Sequence, residues 1–144
     1  MVKVPDMSDE ATKKVQGVIW KTTIASAALG VVLSPIPLAD ELLLVPIYGV
    51  MTARIGKARG KGITAVPWRP IGTAIVAGLA ARAAANVGFA FVPGVAAVAN
   101  AISAAALTKL LGEYADTALR SGVVPPMPFQ QKPKDTVASE PAPA

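Results

Sequence analysis

Cysteine and histidine are both absent from this 144-residue chain. Their absence excludes disulfides, thiolate nucleophiles, thiolate or imidazole metal sites and histidine acid–base catalysis. Charge is scarce as well: 16% of residues are charged, against about a quarter in an ordinary soluble domain. Nothing at the N-terminus reads as a secretory signal, because Asp6, Asp9 and Glu10 stand where a signal would carry positive charge. Entry to a membrane is therefore expected to depend on internal helices.

What remains is apolar and small. The apolar set makes up 53% of the chain, with a mean hydropathy of +0.50, and much of it is alanine. Small side chains suit helices that approach closely in lipid. The net charge of +5 fits either anionic lipid or nucleic acid, so its placement along the chain decides which.

The pattern predicts four helices. Residues 1–7 read as irregular, Ser8 as an N-cap, and Asp9 and Glu10 as first-turn acids favoured by the helix dipole. The first helix runs to about residue 33, where Ser34-Pro-Ile-Pro-Leu-Ala-Asp40 forms a turn, with Pro35 and Pro37 as breakers. A second helix starts at Asp40 and Glu41 and reaches residue 55, with Pro46 tolerated early in it. Residues 56–70 form a basic connection. A third helix covers 71–91, Pro93-Gly94 makes the second turn, and a fourth runs from 95 to about 119. The hairpin turns are thus assigned to Pro35, Pro37, Asp40, Pro93 and Gly94. Residues 121–144 hold six prolines and little periodicity, the composition of a disordered tail. The domain itself is 8–120.

An internal repeat emerges at an offset of 56 residues: Pro37 falls on Pro93, Thr52 on Thr108, Ile55 on Leu111 and Gly56 on Gly112. Each half is an apolar helix, a proline turn and a second apolar helix. The fold class is therefore all-α: two apolar helical hairpins of one design, membrane-associated.

A spanning helix needs about 20 apolar residues. Residues 71–91 meet this, although Arg82 near their centre costs about 2.5–3.5 kcal/mol on insertion scales. The stretches 18–33, 42–53 and 95–108 are shorter. Positive charge, however, lies at one end: Lys3, Lys13, Lys14 and Lys21, then Arg54, Lys57, Arg59, Lys61 and Arg69, then Lys109 and Arg120. The hairpin tips carry no basic residue. Both hairpins are expected to enter from one side, as re-entrant hairpins or as four thin spans with snorkelling lysines, with termini and basic loop on the cytoplasmic face of a bacterial inner membrane. A soluble bundle is the competing reading, with Arg82, Asn86 and Asn100 at its surface. Alanines at spacing four (Ala77, Ala81, Ala85 and Ala97, Ala101, Ala105) fit close helix crossing in lipid, and any alanine-rich helix also produces such spacings.

The segment from Ser34 to Gly56, with its Pro-Ile-Pro-Leu-Ala-Asp turn and its helix ending in Arg54-Ile-Gly, resembles the hydrophobic domain attached to bacterial GTPases of the YcjF and interferon-inducible-like types. Val92-Pro-Gly-Val95 and Asn100-Ala-Ile-Ser-Ala-Ala-Ala-Leu-Thr-Lys-Leu-Leu-Gly112 are similar to that domain's second turn and helix. The resemblance covers about residues 15–120 and implies membrane association, a partner GTPase module and no catalytic residues. This chain would be a stand-alone version without the GTPase.

Individual motifs narrow the chemistry. Gly56-Lys-Ala-Arg-Gly-Lys-Gly-Ile-Thr64 is no phosphate loop, since Lys61 rather than glycine stands five positions after Gly56, Gly62 is followed by Ile63, and no strand precedes it. Arg54, Lys57, Arg59, Lys61, Trp68 and Arg69 are the candidate contacts to anionic headgroups. Nonspecific nucleic-acid contact is disfavoured, because one tryptophan beside them is a poor stacking platform. Asp40 and Glu41 are adjacent and point about 100° apart on a helix, which suits dipole compensation better than paired catalysis. Arg82 and Asn86 are the intramembrane polar residues, with Asp40, Glu41 or backbone carbonyls as candidate partners of Arg82.

No cofactor, metal or catalytic site is expected. The function expected is a non-enzymatic anchor, scaffold or membrane-remodelling accessory, with lipid, a separate GTPase or a second copy as partners. The alternatives are a structural membrane protein of a viral or vesicle-like assembly, a small channel or transporter component, and a soluble interaction bundle.

Overall fold

The computed structural model describes residues 7–33, 38–89, 91–92 and 94–127. The expectations placed on Pro35, Pro37 and Pro93, on residues 1–6 and on the tail beyond residue 127 lie outside that set. Among the described residues the chain is all helical: α1 (Met7–Val32), α2 (Ala39–Ala58), a 3-10 turn (Ile63–Ala65), α3 (Trp68–Phe89) and α4 (Val95–Ser121). Met7 and Ser8 are both helical, so α1 begins before the N-cap expected at Ser8. The helix also continues unbroken through Pro46.

Local chemistry explains the ends. Asp9 and Glu10 occupy the first turn of α1, where the free N–H groups carry partial positive charge. At the end of α2, Gly60 takes a left-handed φ of 72°. Its N–H donates to the Lys57 carbonyl and that of Lys61 to the Gly56 carbonyl, which closes a Schellman motif. The basic connection is correspondingly shorter than 56–70, because α2 extends three residues past Ile55. Helix hydroxyls are satisfied locally: those of Thr22, Thr23, Thr52 and Thr108 each donate to a carbonyl four residues back. Such bonds let a hydroxyl sit in an apolar helix without an outside partner.

The helices run up, down, up, down. On α1 and α4, Gly30 lies against Asn100 and Ala101 while Ile19 lies against Gly112, so the two are antiparallel. Between α2 and α4 the pairs Tyr48–Thr108 and Arg59–Asp116 advance together, so these two are parallel. α1 packs most extensively on α4, α2 meets α3 only narrowly, and α1 and α3 do not touch among the described residues. The core takes Leu44, Tyr48, Met51 and Ile55 from α2, a spacing of three and four that places one stripe inward. Ile71, Ile75 and Leu79 face them from α3, and Leu107, Leu111 and Leu119 from α4. Each fully buried large side chain contributes about 1.5–3 kcal/mol.

The positions related by 56 residues behave alike in one respect: Thr52 and Thr108, Ile55 and Leu111, Gly56 and Gly112 are all buried. Their neighbours differ. A Cβ on Gly56 would meet Val66 Cγ2 at 3.1 Å, whereas one on Gly112 would meet Ile19 Cγ1 at 2.8 Å.

Three helices, Ser8–Val32, Trp68–Phe89 and Val95–Ser121, are long and apolar enough to cross a membrane. Counting uninterrupted apolar runs finds only one such segment. The difference arises because α1 and α4 continue as helix past their apolar stretches into charged turns.

Candidate functional site

Two polar assemblies stand out, one at each end of the bundle. The first lies toward the hairpin tips. Among described residues 22–33, 38–53, 70–92 and 94–108, the charged side chains are Asp40, Glu41 and Arg82, and all three are buried, at 3%, 8% and 4% exposure. The Arg82 guanidinium works as a fork. Nη2 donates to Asp40 Oδ2 at 2.6 Å and Nη1 to Glu41 Oε1 at 3.2 Å, while Nε donates to Ser103 Oγ at 3.1 Å. Nη2 also reaches the Asn100 carbonyl and its side-chain Oδ1.

Asn100 ties in the remaining helix. Its Nδ2 donates to Asp40 Oδ2 and to the Gly30 carbonyl on α1, both at 2.9 Å. Asn86 Nδ2 completes the web through Glu41 Oε1 at 3.0 Å and Asn100 Oδ1 at 2.9 Å. All four helices therefore meet in one hydrogen-bonded cluster. Two carboxylates face one guanidinium in it, and Glu41 Oε2 is buried with no partner.

This geometry corrects three sequence expectations. Asp40 is not a turn residue: it sits in the first turn of α2, buried against α3 and α4. Asp40 and Glu41 do converge, because a planar guanidinium bridges directions that adjacent helix positions hold apart. Their dipole role survives in part, since Asp40 Oδ1 accepts the Glu41 N–H at 3.1 Å. Arg82 and Asn100 are buried and Asn86 is half-buried, so none of them forms the exposed surface a soluble bundle was expected to need. Gly94, with a φ of 84°, does stand at the turn before α4. Ser103 was missed, and Asn100 was noticed only as a polar residue. The available signal was mirrored spacing: Arg82 lies 11 residues before Pro93 and Ser103 lies 10 after it, which is level placement across an antiparallel hairpin.

Around this cluster the outer surface is apolar. Leu42 is 75% exposed, Phe91 85% and Ile102 64%; Val45, Val76, Val87 and Val98 are exposed with them. Polarity in this half is reversed relative to a water-soluble domain.

The second assembly is the basic end. Arg54, Lys57, Trp68 and Arg69 are exposed there, with Lys61 half-buried. The Trp68 indole is fixed by donating to the Ile63 carbonyl at 2.8 Å. Arg59 departs from its expected headgroup role. It forms a two-pronged pair with Asp116, Nε to Oδ1 at 2.7 Å and Nη2 to Oδ2 at 2.8 Å, and donates to Thr12 Oγ1 at 3.2 Å. Its hydrogen bond to Asp116 holds the guanidinium pKa above its already high ordinary value, so Arg59 is charged at every physiological pH. It clamps α1, the end of α2 and α4 rather than facing outward. Among the described residues no group of carboxylates is placed to hold a metal ion.

No protein-family model, no curated protein and no solved structure matches this chain.

Proposed function

We propose that this chain is a non-enzymatic membrane protein whose two helical hairpins embed their tips in the bilayer and serve as an anchor or scaffold. The observation that carries the reading is the reversed polarity of the tip half. Every charged side chain described there is turned inward and hydrogen-bonded, while large apolar side chains face out. In water this arrangement exposes apolar surface and spends buried charge for little return. In hydrocarbon it is the low-energy choice, because an ionisable group must find its partner inside the bundle.

The orientation follows from the charges. Lys13, Lys14, Arg54, Lys57, Lys61 and Arg69 lie toward the opposite end, with Lys21 and Lys109 near the middle of their helices, as they would with that end on the cytoplasmic face of a bacterial inner membrane. The two hairpins, related by the 56-residue offset, would be two copies of one inserting unit. The resemblance of the Ser34–Gly56 segment to a GTPase-attached hydrophobic domain supports a separate GTPase as the partner. A channel component has less support, since Arg82 spends its donors on Asp40, Glu41, Asn100 and Ser103 rather than on an open path.

The test is fractionation of the full chain, with carbonate and then detergent applied to the membrane pellet. Release by detergent alone is the expected result. Recovery in the soluble fraction at low salt would overturn the reading.

A further inference from the structure

A groove runs between α1 and α2 across the boundary of charged and apolar surface. Its lower part is a cavity of about 340 Å³ with Lys21 and Arg54 at its upper rim, and Ala25, Pro46, Ile47 and Val50 along its sides. A second cavity of about 380 Å³ adjoins it through the shared Arg54 and adds Lys14 and Lys57. Below Lys21 on α1 and below Arg54 on α2, neither wall carries a charge facing this groove.

We infer that this groove binds a single anionic phospholipid, its headgroup held between Lys21 and Arg54 and an acyl chain lying along Ala25, Pro46, Ile47 and Val50. The inference rests on the membrane reading above and adds the ligand and its place.

Charge complementarity selects the occupant. No acidic residue lines either cavity. Lys21, Arg54 and Lys57 form no ion pair among the described residues; Lys14 alone is paired, with Glu10 at 2.8 Å. The Thr22 hydroxyl is spent on the Val18 carbonyl, so the recognition chemistry at the rim is cationic. An arginine fork and a lysine point charge suit a phosphate diester, and both can lay their stems along apolar surface while the head stays at the interface. The groove changes from cationic to apolar along its length, as a phospholipid does. A free phosphate would leave the apolar half empty, and an uncharged lipid would leave the cations unmatched. Trp20, 67% exposed beside Lys21, marks the same level as an interfacial aromatic.

The experiment uses the full chain in neutral-detergent micelles, titrated with brominated phosphatidylglycerol or brominated phosphatidylcholine, with tryptophan quenching as the readout. Phosphatidylglycerol is expected to bind saturably, at one per chain, and more tightly than phosphatidylcholine. Lys21→Gln with Arg54→Gln should weaken it about tenfold or more. Lys13→Gln with Lys109→Gln removes the same charge at positions that line neither cavity and should leave binding within about twofold, on the same scale of roughly tenfold per 1.4 kcal/mol. Val50→Phe should obstruct the chain site and weaken phosphatidylglycerol while leaving both cations in place and adding no tryptophan to the readout. Inorganic phosphate should not displace the lipid. Equal losses from the two charge pairs, or equal affinity for the two lipids, would overturn the proposal and leave only diffuse surface attraction. Displacement by inorganic phosphate would reduce the site to an anion site, which also overturns it. Full affinity in the Lys21→Gln, Arg54→Gln variant would overturn it and leave the groove to a protein segment. Because binding is read in micelles, failure here is separate from failure of the fractionation test.

Discussion

Arg82 holds together groups from two other helices and, through Asn100, a third. Removing it leaves Asp40 and Glu41 buried without a counter-charge, so Arg82→Ala should destabilise the fold by about 3–5 kcal/mol, read as a loss of detergent-resistant helix on heating. Glu41→Gln should behave differently. It keeps Oε1 as an acceptor for Arg82 and Asn86, removes the surplus negative charge, and puts a neutral amide where the unpartnered carboxylate oxygen stood. The expected outcome is unchanged or raised thermal stability in the same assay; a loss as large as that of Arg82→Ala would mean that Glu41 needs its charge. The role of Arg82 was half legible in the sequence. An arginine inside an otherwise apolar helix must find a partner, and Asp40 and Glu41 are the charged residues near the tips. That Asn100 and Ser103 complete the set was not legible, because their pairing depends on which faces of α3 and α4 meet.

At the scale of the helices, Gly30 on α1 and Gly112 on α4 set how closely these two can approach. A Cβ on Gly30 would lie 3.1 Å from the Asn100 carbonyl oxygen and 3.2 Å from Ala101 Cα, both backbone atoms that have little freedom to yield. Gly30→Ala should therefore cost about 1–3 kcal/mol through overpacking. It should also loosen Asn100, which donates to the Gly30 carbonyl. Gly17 is the contrast, with nothing within 4 Å of its Cβ position. Gly17→Ala should stabilise by about 0.5–1 kcal/mol, the helix-propensity difference alone. Thermal melts of the two variants in one detergent check both signs. Glycine as a marker of close approach was visible in the sequence only as composition. Gly17 and Gly30 look alike until the neighbouring helix is placed.

For the molecule as a whole, the inserted reading rests on the separation into an apolar-skinned tip and a basic end. The chain has no cysteine, so single introduced thiols report position without background. Lys61→Cys should react with a membrane-impermeant maleimide added from the cytoplasmic side. Leu42→Cys, 75% exposed in the absence of lipid, should react only after detergent is added. Rapid labelling of both in intact membranes would place the tips in water and overturn the inserted reading. Binding of the basic end to anionic vesicles should weaken between low and physiological salt, since charges beyond about 8 Å are screened there.

Some of this protein was fixed by the order of its residues alone. Hydrophobic runs punctuated by proline and glycine specify four helices, because a helix ends where its N–H ladder cannot continue. The one-sided distribution of lysine and arginine specifies two ends of opposite character. The rest waited on tertiary structure. Arg59 reads as one more loop cation until α4 brings Asp116 beside it, and Asn100 and Ser103 show no link to Arg82 until α3 and α4 meet. Burial and pairing are properties of surfaces in contact. Which faces meet is decided by the summed packing of all four helices, and no single helix encodes that sum.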